Sequence, residues 1–374
     1  MKHLLIDALS VTNLSGRHVL VGHVRQLVAA LKETYRFTVL VGRTNAGLLA
    51  DLPGEVLPLH VPVGPGWFER AIWMARNARH LCRKLGVTAV FSPSGMLSVG
   101  HPCPQVVLAQ NPWPLMPGMA KGSERIKAML QRREFARAHR EANVMVFNSQ
   151  YMQDLYAARF GSRQGLSVVA YQAIDESLFE LGKEWTPLSL RKPMVLSVSV
   201  MARHKAVEVL VDAFSLLSPR LPGAALVLVG AWPEAQYRRE IESLIKQHGL
   251  SEKIQLQGHV DAAELHKLYG QARVFCLLSR CESFGIPAVE AQAFGTPVVV
   301  ATGTAAPEIV GAGGIPVPQD DASATVAALQ ELLTDDLAWA EFSASARLNS
   351  ERFHWPACSA PMVRAVDSLG MDSE

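Results

Sequence analysis

Short apolar runs alternate with longer amphipathic stretches along the whole chain. Residues 4–6, 38–41, 89–91, 105–108, 144–147 and 167–169 are rich in Val, Ile, Leu or Phe and predict buried strands. Helical periodicity runs through 18–31, 67–85, 125–141 and 150–160. The second half repeats the theme, with strands expected at 194–198, 225–229, 254–257, 273–277 and 297–300. Its helices are expected at 206–218, 233–248, 262–271, 287–294 and 323–333. Strands that alternate with helices predict an α/β chain of parallel sheets covered on both faces. Such sheets bind ligands at the carboxyl ends of their strands. The stretch between Asp175 and Pro193 has little periodicity and mixed charge, and predicts a linker over 176–193. It separates a first domain, 1–175, from a second, 194–354, and two similar domains joined in this way are expected to enclose an active-site cleft.

The 374 residues are 49% hydrophobic and 19% charged, enough core for two domains and far from the composition of a disordered chain. No apolar stretch approaches the roughly 18–20 residues that span a bilayer. The opening Met-Lys-His-Leu-Leu-Ile-Asp predicts a strand rather than a signal peptide. Cys82, Cys103, Cys276, Cys281 and Cys358 form no Cys-x-x-Cys pair and no zinc spacing, so reduced, buried thiols in a cytoplasmic protein are expected.

The net charge of +2 is unevenly divided: residues 1–184 carry 21 basic and 13 acidic side chains, residues 185–374 carry 15 and 21. Such a split suits two domains with different partners. The modest total and the lack of a nucleic-acid motif exclude nucleic acid as a partner. Gly-x-Gly-x-x-Gly, Walker and Gly-x-Ser-x-Gly sequences are absent, which disfavours a dinucleotide oxidoreductase, a nucleotide triphosphatase and an elbow-type hydrolase. No Asp-x-Asp pair is present to bridge a metal ion to a diphosphate. No metal or other cofactor is therefore expected.

The informative segment runs from Arg280 to Val300, Arg-Cys-Glu-Ser-Phe-Gly-Ile-Pro-Ala-Val-Glu-Ala-Gln-Ala-Phe-Gly-Thr-Pro-Val-Val-Val. A strand ends near Leu278 and a loop carries Glu282. Pro287 then opens a helix, where its fixed φ and missing N–H are tolerated. Gly295 closes it in the left-handed position, with Pro297 behind. Gly285 leaves the backbone bare before the helix, so an anion can approach the free N–H groups at Ile286 and beyond. Glu290 is expected in the first helical turn, placed to accept two adjacent hydroxyls of one sugar ring. A phosphate flanked by hydroxyl-rich rings fits this unit, and a nucleotide-sugar has that shape. A capped surface helix would account for Glu290 and the proline but leave Glu282, Phe284 and Gly285 without a role.

Glu282 and Glu290, spaced by seven residues within Phe-Gly-Ile-Pro and Gly-Thr-Pro-Val-Val, resemble the signature of retaining glycosyltransferases of the family 4 type. The resemblance is strongest from about Val195 to Phe353. It implies the GT-B fold, two Rossmann-like domains with parallel sheets facing across a cleft. It also implies that Glu290 holds the donor ribose, that Glu282 sits by the transferred sugar, and that the backbone of Ser283, Phe284 and Gly285 binds its hydroxyls. Residues 197–214 match the phosphate-binding segment of the family, with Lys205 at the diphosphate lysine. The arginine usual five residues earlier is Val200 here, and Arg203 is the replacement nearest to hand. Gly16, in Asn13-Leu-Ser-Gly-Arg-His18, resembles the glycine that approaches the donor phosphates. Val260, after Gly258-His259, resembles the turn over the nucleotide base. The acceptor-side histidine of many relatives is missing from Phe91-Ser-Pro-Ser-Gly95. His101 and Asn111, the latter in the polar Gln110-Asn111 pair, are the nearest alternatives, and for each the structural role outweighs the catalytic one. A C-terminal helix, 355–374, is expected to pack back on the first domain.

The expected function is metal-independent transfer, with retention, from a nucleotide-sugar donor to a saccharide or lipid-linked acceptor, in building cell-envelope or exported polysaccharide. A non-hydrolysing nucleotide-sugar epimerase and a nucleotide-sugar-binding protein without turnover are the rivals. The helix at 67–85 is expected to bury Trp67, Ala71, Met74, Ala78, Leu81, Cys82 and Leu85 and to expose Arg76, Arg79, His80, Arg83 and Lys84 around Trp73. With Lys121, Arg125, Lys127, Arg132, Arg133, Arg137 and Arg140, this basic surface suits an anionic membrane, and so a cytoplasmic enzyme that visits the inner face.

Overall fold

The computed structural model describes residues 1–64, 66–119, 122, 124–183 and 186–369. Lys121, residues 184 and 185 of the expected linker, and 370–374 of the expected C-terminal helix lie outside that set. The chain divides into two units: Met1–Ala173 together with the segment from Trp355, and Ile174–His354.

In the first unit the order is β1 (Lys2–Asp7), α1 (Leu14–Leu31), β2 (Tyr35–Val41), β3 (Val56–His60), α2 (Trp67–Leu85), β4 (Ala89–Ser92), β5 (Gln105–Ala109), α3 (Glu124–Glu141), β6 (Val144–Phe147), α4 (Gln150–Phe160) and β7 (Leu166–Val169). Among the described residues its seven strands are parallel, in the order β3-β2-β1-β4-β5-β6-β7. Alternation along β1 sends Leu4 and Ile6 to the α1 face and Leu5 to the α2 face, so both faces are buried.

The second unit holds α5 (Glu176–Lys183), β8 (Lys192–Val198), α6 (Val207–Leu217), β9 (Ala225–Val229), α7 (Ala235–Gln247), β10 (Ile254–Gln257), α8 (Ala262–Gln271) and β11 (Ala272–Leu277). It continues with α9 (Ile286–Ala293), β12 (Val298–Ala301), α10 (Ala306–Val310), β13 (Gly314–Val317), α11 (Ala322–Thr334) and α12 (Asp336–Ser350). Its six described strands are again parallel, ordered β10-β9-β8-β11-β12-β13. Val195, Leu226, Leu228, Val274 and Val299 form the sheet side of a core closed by Leu210 and Phe214 of α6, Ile241 of α7 and Leu329 of α11.

The last described helix, α13 (Trp355–Ser368), belongs to the first unit. Met362, Ala365 and Val366 join the α1 core, and the Tyr35 hydroxyl donates to the Val366 carbonyl at 3.0 Å. The Trp355 indole lies against Gly22, where an added Cβ would come within 2.1 Å of the ring.

Three expectations are corrected. Residues 176–183, assigned to a linker, form α5, with Leu178 and Phe179 buried. Trp67, the first residue of α2, is exposed rather than core; the buried residues of the helix are Met74, Ala78 and Cys82. Trp73 is half-buried against the α2 core instead of lying on the basic face. Among the described residues no helix is long and apolar enough to cross a membrane.

Candidate functional site

At the carboxyl edge of the second sheet the loops after β8, β9, β10 and β11 converge. Gly230 follows β9 with φ of +141°, and an added Cβ there would lie 1.8 Å from the Ser199 carbonyl oxygen, so only glycine lets the β8 loop cross so closely. Its N–H donates to the Gly258 carbonyl at 3.0 Å, which fixes the turn carrying half-buried Val260.

The β8 loop ends in a tight turn, Arg203–Lys205, before α6. Lys205 Nζ donates to Glu282 Oε2 at 2.6 Å. Burial alone would raise the Glu282 carboxyl, but the charge and hydrogen bond of Lys205, with His204 and the Phe284 N–H, outweigh it and hold the group below its ordinary value. Arg280 fastens the two loops. Its N–H donates to the His204 carbonyl at 2.7 Å and its guanidinium to the Arg203 carbonyl at 2.9 Å, while Glu208 and Asp320 pair with its charge. Nothing in the local pattern marked Arg280 for this.

Arg203 is not brought to Lys205. Its guanidinium forms two bonds to Glu240, at 2.8 and 2.9 Å, reaches Glu234, and lies 4.9 Å from the Tyr237 ring centroid. Two carboxylates and an aromatic face from the region of α7 draw it there. The expected replacement for the arginine missing at Val200 is therefore committed elsewhere.

Gly285 caps α9 with φ of +101°, a conformation that suits glycine, and Pro287 sits in the first turn. Ser283 is half-buried, and the Phe284 ring is buried edge-on against Phe353, with centroids 5.4 Å apart. Ile286 is the first helical residue, so Glu290 stands in the second turn, not the first, and the dipole argument for it does not apply. The Tyr269 hydroxyl holds it instead, donating to Oε2 at 2.8 Å. Glu282, Ser283, Phe284, Gly285 and Lys205 thus share one edge of the sheet.

The remaining predicted residues lie in the first unit. Gly16 falls inside the first turn of α1, and its N–H donates to the Asn13 side chain at 2.6 Å, so its local job is to let that cap come close. His101 Nδ1 lies 3.0 Å from Cys82 Sγ, and burial lowers the pKa of the ring although Asp7 opposes this. Asn111 is exposed, and its side-chain oxygen accepts from the Trp113 N–H two residues on, at 3.1 Å. Among the described residues no three His, Cys, Asp or Glu side chains are grouped to hold a metal ion.

Residues 183–349 match the family model for glycosyl transferases group 1, and residues 21–178 the model for glycosyltransferase family 4. A D-inositol 3-phosphate glycosyltransferase of Xylanimonas cellulosilytica is 33% identical over 183 residues, 48% of this chain and 43% of that protein. The match therefore spans less than half the length of that curated relative. Sucrose-phosphate synthase from Thermosynechococcus elongatus superposes with a TM-score of 0.75 at 20% identity, over the whole of both chains. HepE of Anabaena, solved in complex with UDP-glucose, gives 0.74 at 19% identity, over 99% of this chain and all of that one. These likenesses show the fold, which is GT-B.

Proposed function

The chain belongs to the glycosyltransferases of the family 4 type, and on that premise we propose that it moves a sugar from a nucleoside-diphosphate sugar to a saccharide or lipid-linked acceptor, with retention and without a metal. The observation that carries this is the Lys205–Glu282 pair beside the N-terminus of α9, with Glu290 one turn further on. Lys205 and the N-terminal end of α9, through the Ile286 N–H and the helix dipole, take the diphosphate, Glu290 the ribose, and Glu282 with residues 283–285 the transferred sugar. A structural neighbour solved with UDP-glucose supports a donor of this class.

The chemistry is electrostatic. The bond from the anomeric carbon to the phosphate oxygen breaks, and its electron pair leaves with the nucleoside diphosphate. Lys205 and the helix N-terminus stabilise that charge as it develops. The acceptor hydroxyl bonds to the sugar on the face the diphosphate leaves, and its proton passes to the departing phosphate. With Arg203 held by Glu240, this stabilisation falls on Lys205 and the helix.

A thermal-shift screen against UDP-, GDP-, ADP- and dTDP-sugars finds the donor, since a ligand at 100 times its Kd stabilises by about 2.7 kcal/mol. Free nucleoside diphosphate should then appear only when an acceptor is added. Donor binding with no release across lipid-linked and free saccharide acceptors would instead mark a nucleotide-sugar-binding protein without turnover.

The first unit is the acceptor side in this proposal, and its surface suits an anionic leaflet. Val90 packs with α2 and Val107 with α3, and the pairing of Ser92 with Val107 puts both helices on one face of the sheet. Both begin at its carboxyl edge. There Trp67, Phe68 and Ile72 of α2 and Ile126, Met129 and Leu130 of α3 are exposed, among Arg76, Arg125, Lys127 and Arg133. Apolar tips ringed by cations fit a bilayer interface. In this proposal the enzyme works in the cytoplasm and docks on the inner membrane face to build envelope or exported polysaccharide.

A further inference from the structure

We propose that Tyr269 is a positioning residue for the Glu290 carboxylate, and that it thereby sets the preference of the donor site for ribonucleotides over their deoxy forms. The proposal rests on the ribose role given to Glu290 above and adds the group that makes the role selective.

Glu290 projects from the second turn of α9, a helix of eight residues. A glutamate there has several staggered rotamers, and only some orient the carboxylate to accept two vicinal hydroxyls at once. The Tyr269 hydroxyl selects among them by donating to Oε2 at 2.8 Å.

The tyrosine is itself immobile. It is fully buried in the last turn of α8, its ring 6.0 Å from that of Phe275 and 5.9 Å from that of Phe294, the latter nearly parallel. Thr296 Oγ1 donates to the Tyr269 carbonyl at 2.7 Å. Buried Arg191 donates to Thr296 Oγ1 at 2.5 Å and to the Ala272 carbonyl at 2.8 Å. The end of α8 and the end of α9 are thus stapled together behind the ribose carboxylate. Burial and the nearby Glu290 charge both push the phenol far above its ordinary range, so it keeps its proton and remains a donor.

A buried tyrosine needs some partner for its hydroxyl, and that need alone would be met by any carbonyl. Spending it on a carboxylate at the mouth of the site couples a rigid core to a ligand-facing group. Two bonds from one carboxylate to two hydroxyls demand a fixed carboxylate plane. A deoxyribose offers one hydroxyl and makes no such demand, so losing the tyrosine should harm ribonucleotide binding selectively.

Calorimetric titration of UDP, GDP and ADP, each beside its 2′-deoxy counterpart, tests this on the full chain and on Tyr269→Phe, Glu290→Gln and the double variant. Phenylalanine keeps the ring and its stacks, and the melting temperature of each variant confirms the fold. The wild type should prefer the ribonucleotide, Glu290→Gln should abolish the preference, and Tyr269→Phe should cut it by about tenfold, the scale of one hydrogen bond to a charged group. The double variant should match Glu290→Gln alone, and in turnover Tyr269→Phe should raise the donor KM with little change in kcat. An intact preference in Tyr269→Phe, with Glu290→Gln having lost it, overturns the role of Tyr269. A preference that survives Glu290→Gln overturns the ribose role of Glu290 and the assignment of Tyr269 with it.

Discussion

Lys205 Nζ and Glu282 Oε2 stand 2.6 Å apart with each side chain only 16% exposed, so each charge is held chiefly by the other. The pairing keeps the Glu282 carboxyl below its ordinary value. Its stabilising effect is therefore present above the unfolded carboxyl pKa, about 4.3, and lost as pH falls through the lower folded value. In Lys205→Met the carboxyl remains buried without that cation and its pKa should rise, so it destabilises the fold by an amount that grows as pH climbs above the unfolded value. The variant should be less stable by about 3–5 kcal/mol near neutrality. The gap in melting temperature should narrow steadily from pH 7 to pH 4. A gap that does not change with pH would show that Glu282 is not held by Lys205.

Glu290 and Glu282 should fail differently. Glu290→Ala removes a charged acceptor from the ribose and should weaken donor binding by about 1.5–3 kcal/mol per bond lost. Glu282→Ala should lower kcat more than it weakens donor binding, because its contact is to the sugar that changes charge in the transition state. Equal donor affinities and equal turnover losses in the two variants would contradict the assignment.

Turnover should survive excess EDTA. The proposed chemistry neutralises the leaving diphosphate with Lys205 and backbone N–H groups. Activity lost to the chelator and restored by Mg²⁺ would refute the metal-free course.

His23 should make the first unit acid-sensitive. Fully buried beside the edge of Trp355, with Nδ1 2.9 Å from Ser359 Oγ, it has its pKa lowered to about 4 by burial, with a further push from His18. A base whose folded pKa is depressed contributes stability that is present above the unfolded value, about 6.5, and lost as pH falls towards 4. The loss should reach about 3 kcal/mol over that interval. His23→Gln should show a correspondingly shallower decline in urea midpoint between pH 6.5 and 4. Parallel declines would place the acid sensitivity elsewhere.

Sedimentation with vesicles should recover the protein with anionic lipid and not with neutral lipid, and recovery should fall as salt rises. Trp67→Ser with Phe68→Ser should reduce binding, whereas Trp73→Phe should not, because Trp73 is packed against the core. Equal recovery on both lipids would mean a soluble acceptor.

The two strands absent from the hydrophobic pattern explain how far such a pattern reaches. Both β3 and β13 lie at the edge of their sheet, and both carry a proline, Pro58 and Pro316. An edge tolerates a residue without a ladder donor, and that same residue breaks the apolar run that would reveal the strand. The central strands, buried on both faces, have no such freedom and are legible. Within the site, the loop and helix from Glu282 to Gly295 could be read because residues close in sequence stay close in space. Arg203 finds Glu234 and Glu240 more than thirty positions away, and Tyr269 reaches Glu290 across a whole strand and loop. Pairings over such separations follow from packing and leave no periodic trace. Arg191, one of the most constrained side chains of the second unit, lay hidden in a stretch with no pattern at all.

Trp355 and the helix it begins complete a core whose other members all lie before residue 174. Polypeptides emerge from the ribosome amino end first, and domains fold as they emerge. The first sheet is therefore synthesised early but left without Met362, Ala365 and Val366 while the whole of Ile174–His354 is being made. During that interval its α1 face is short of partners, and the nascent chain is most exposed to aggregation and most in need of a chaperone. The half of the protein that is translated first is the half that matures last.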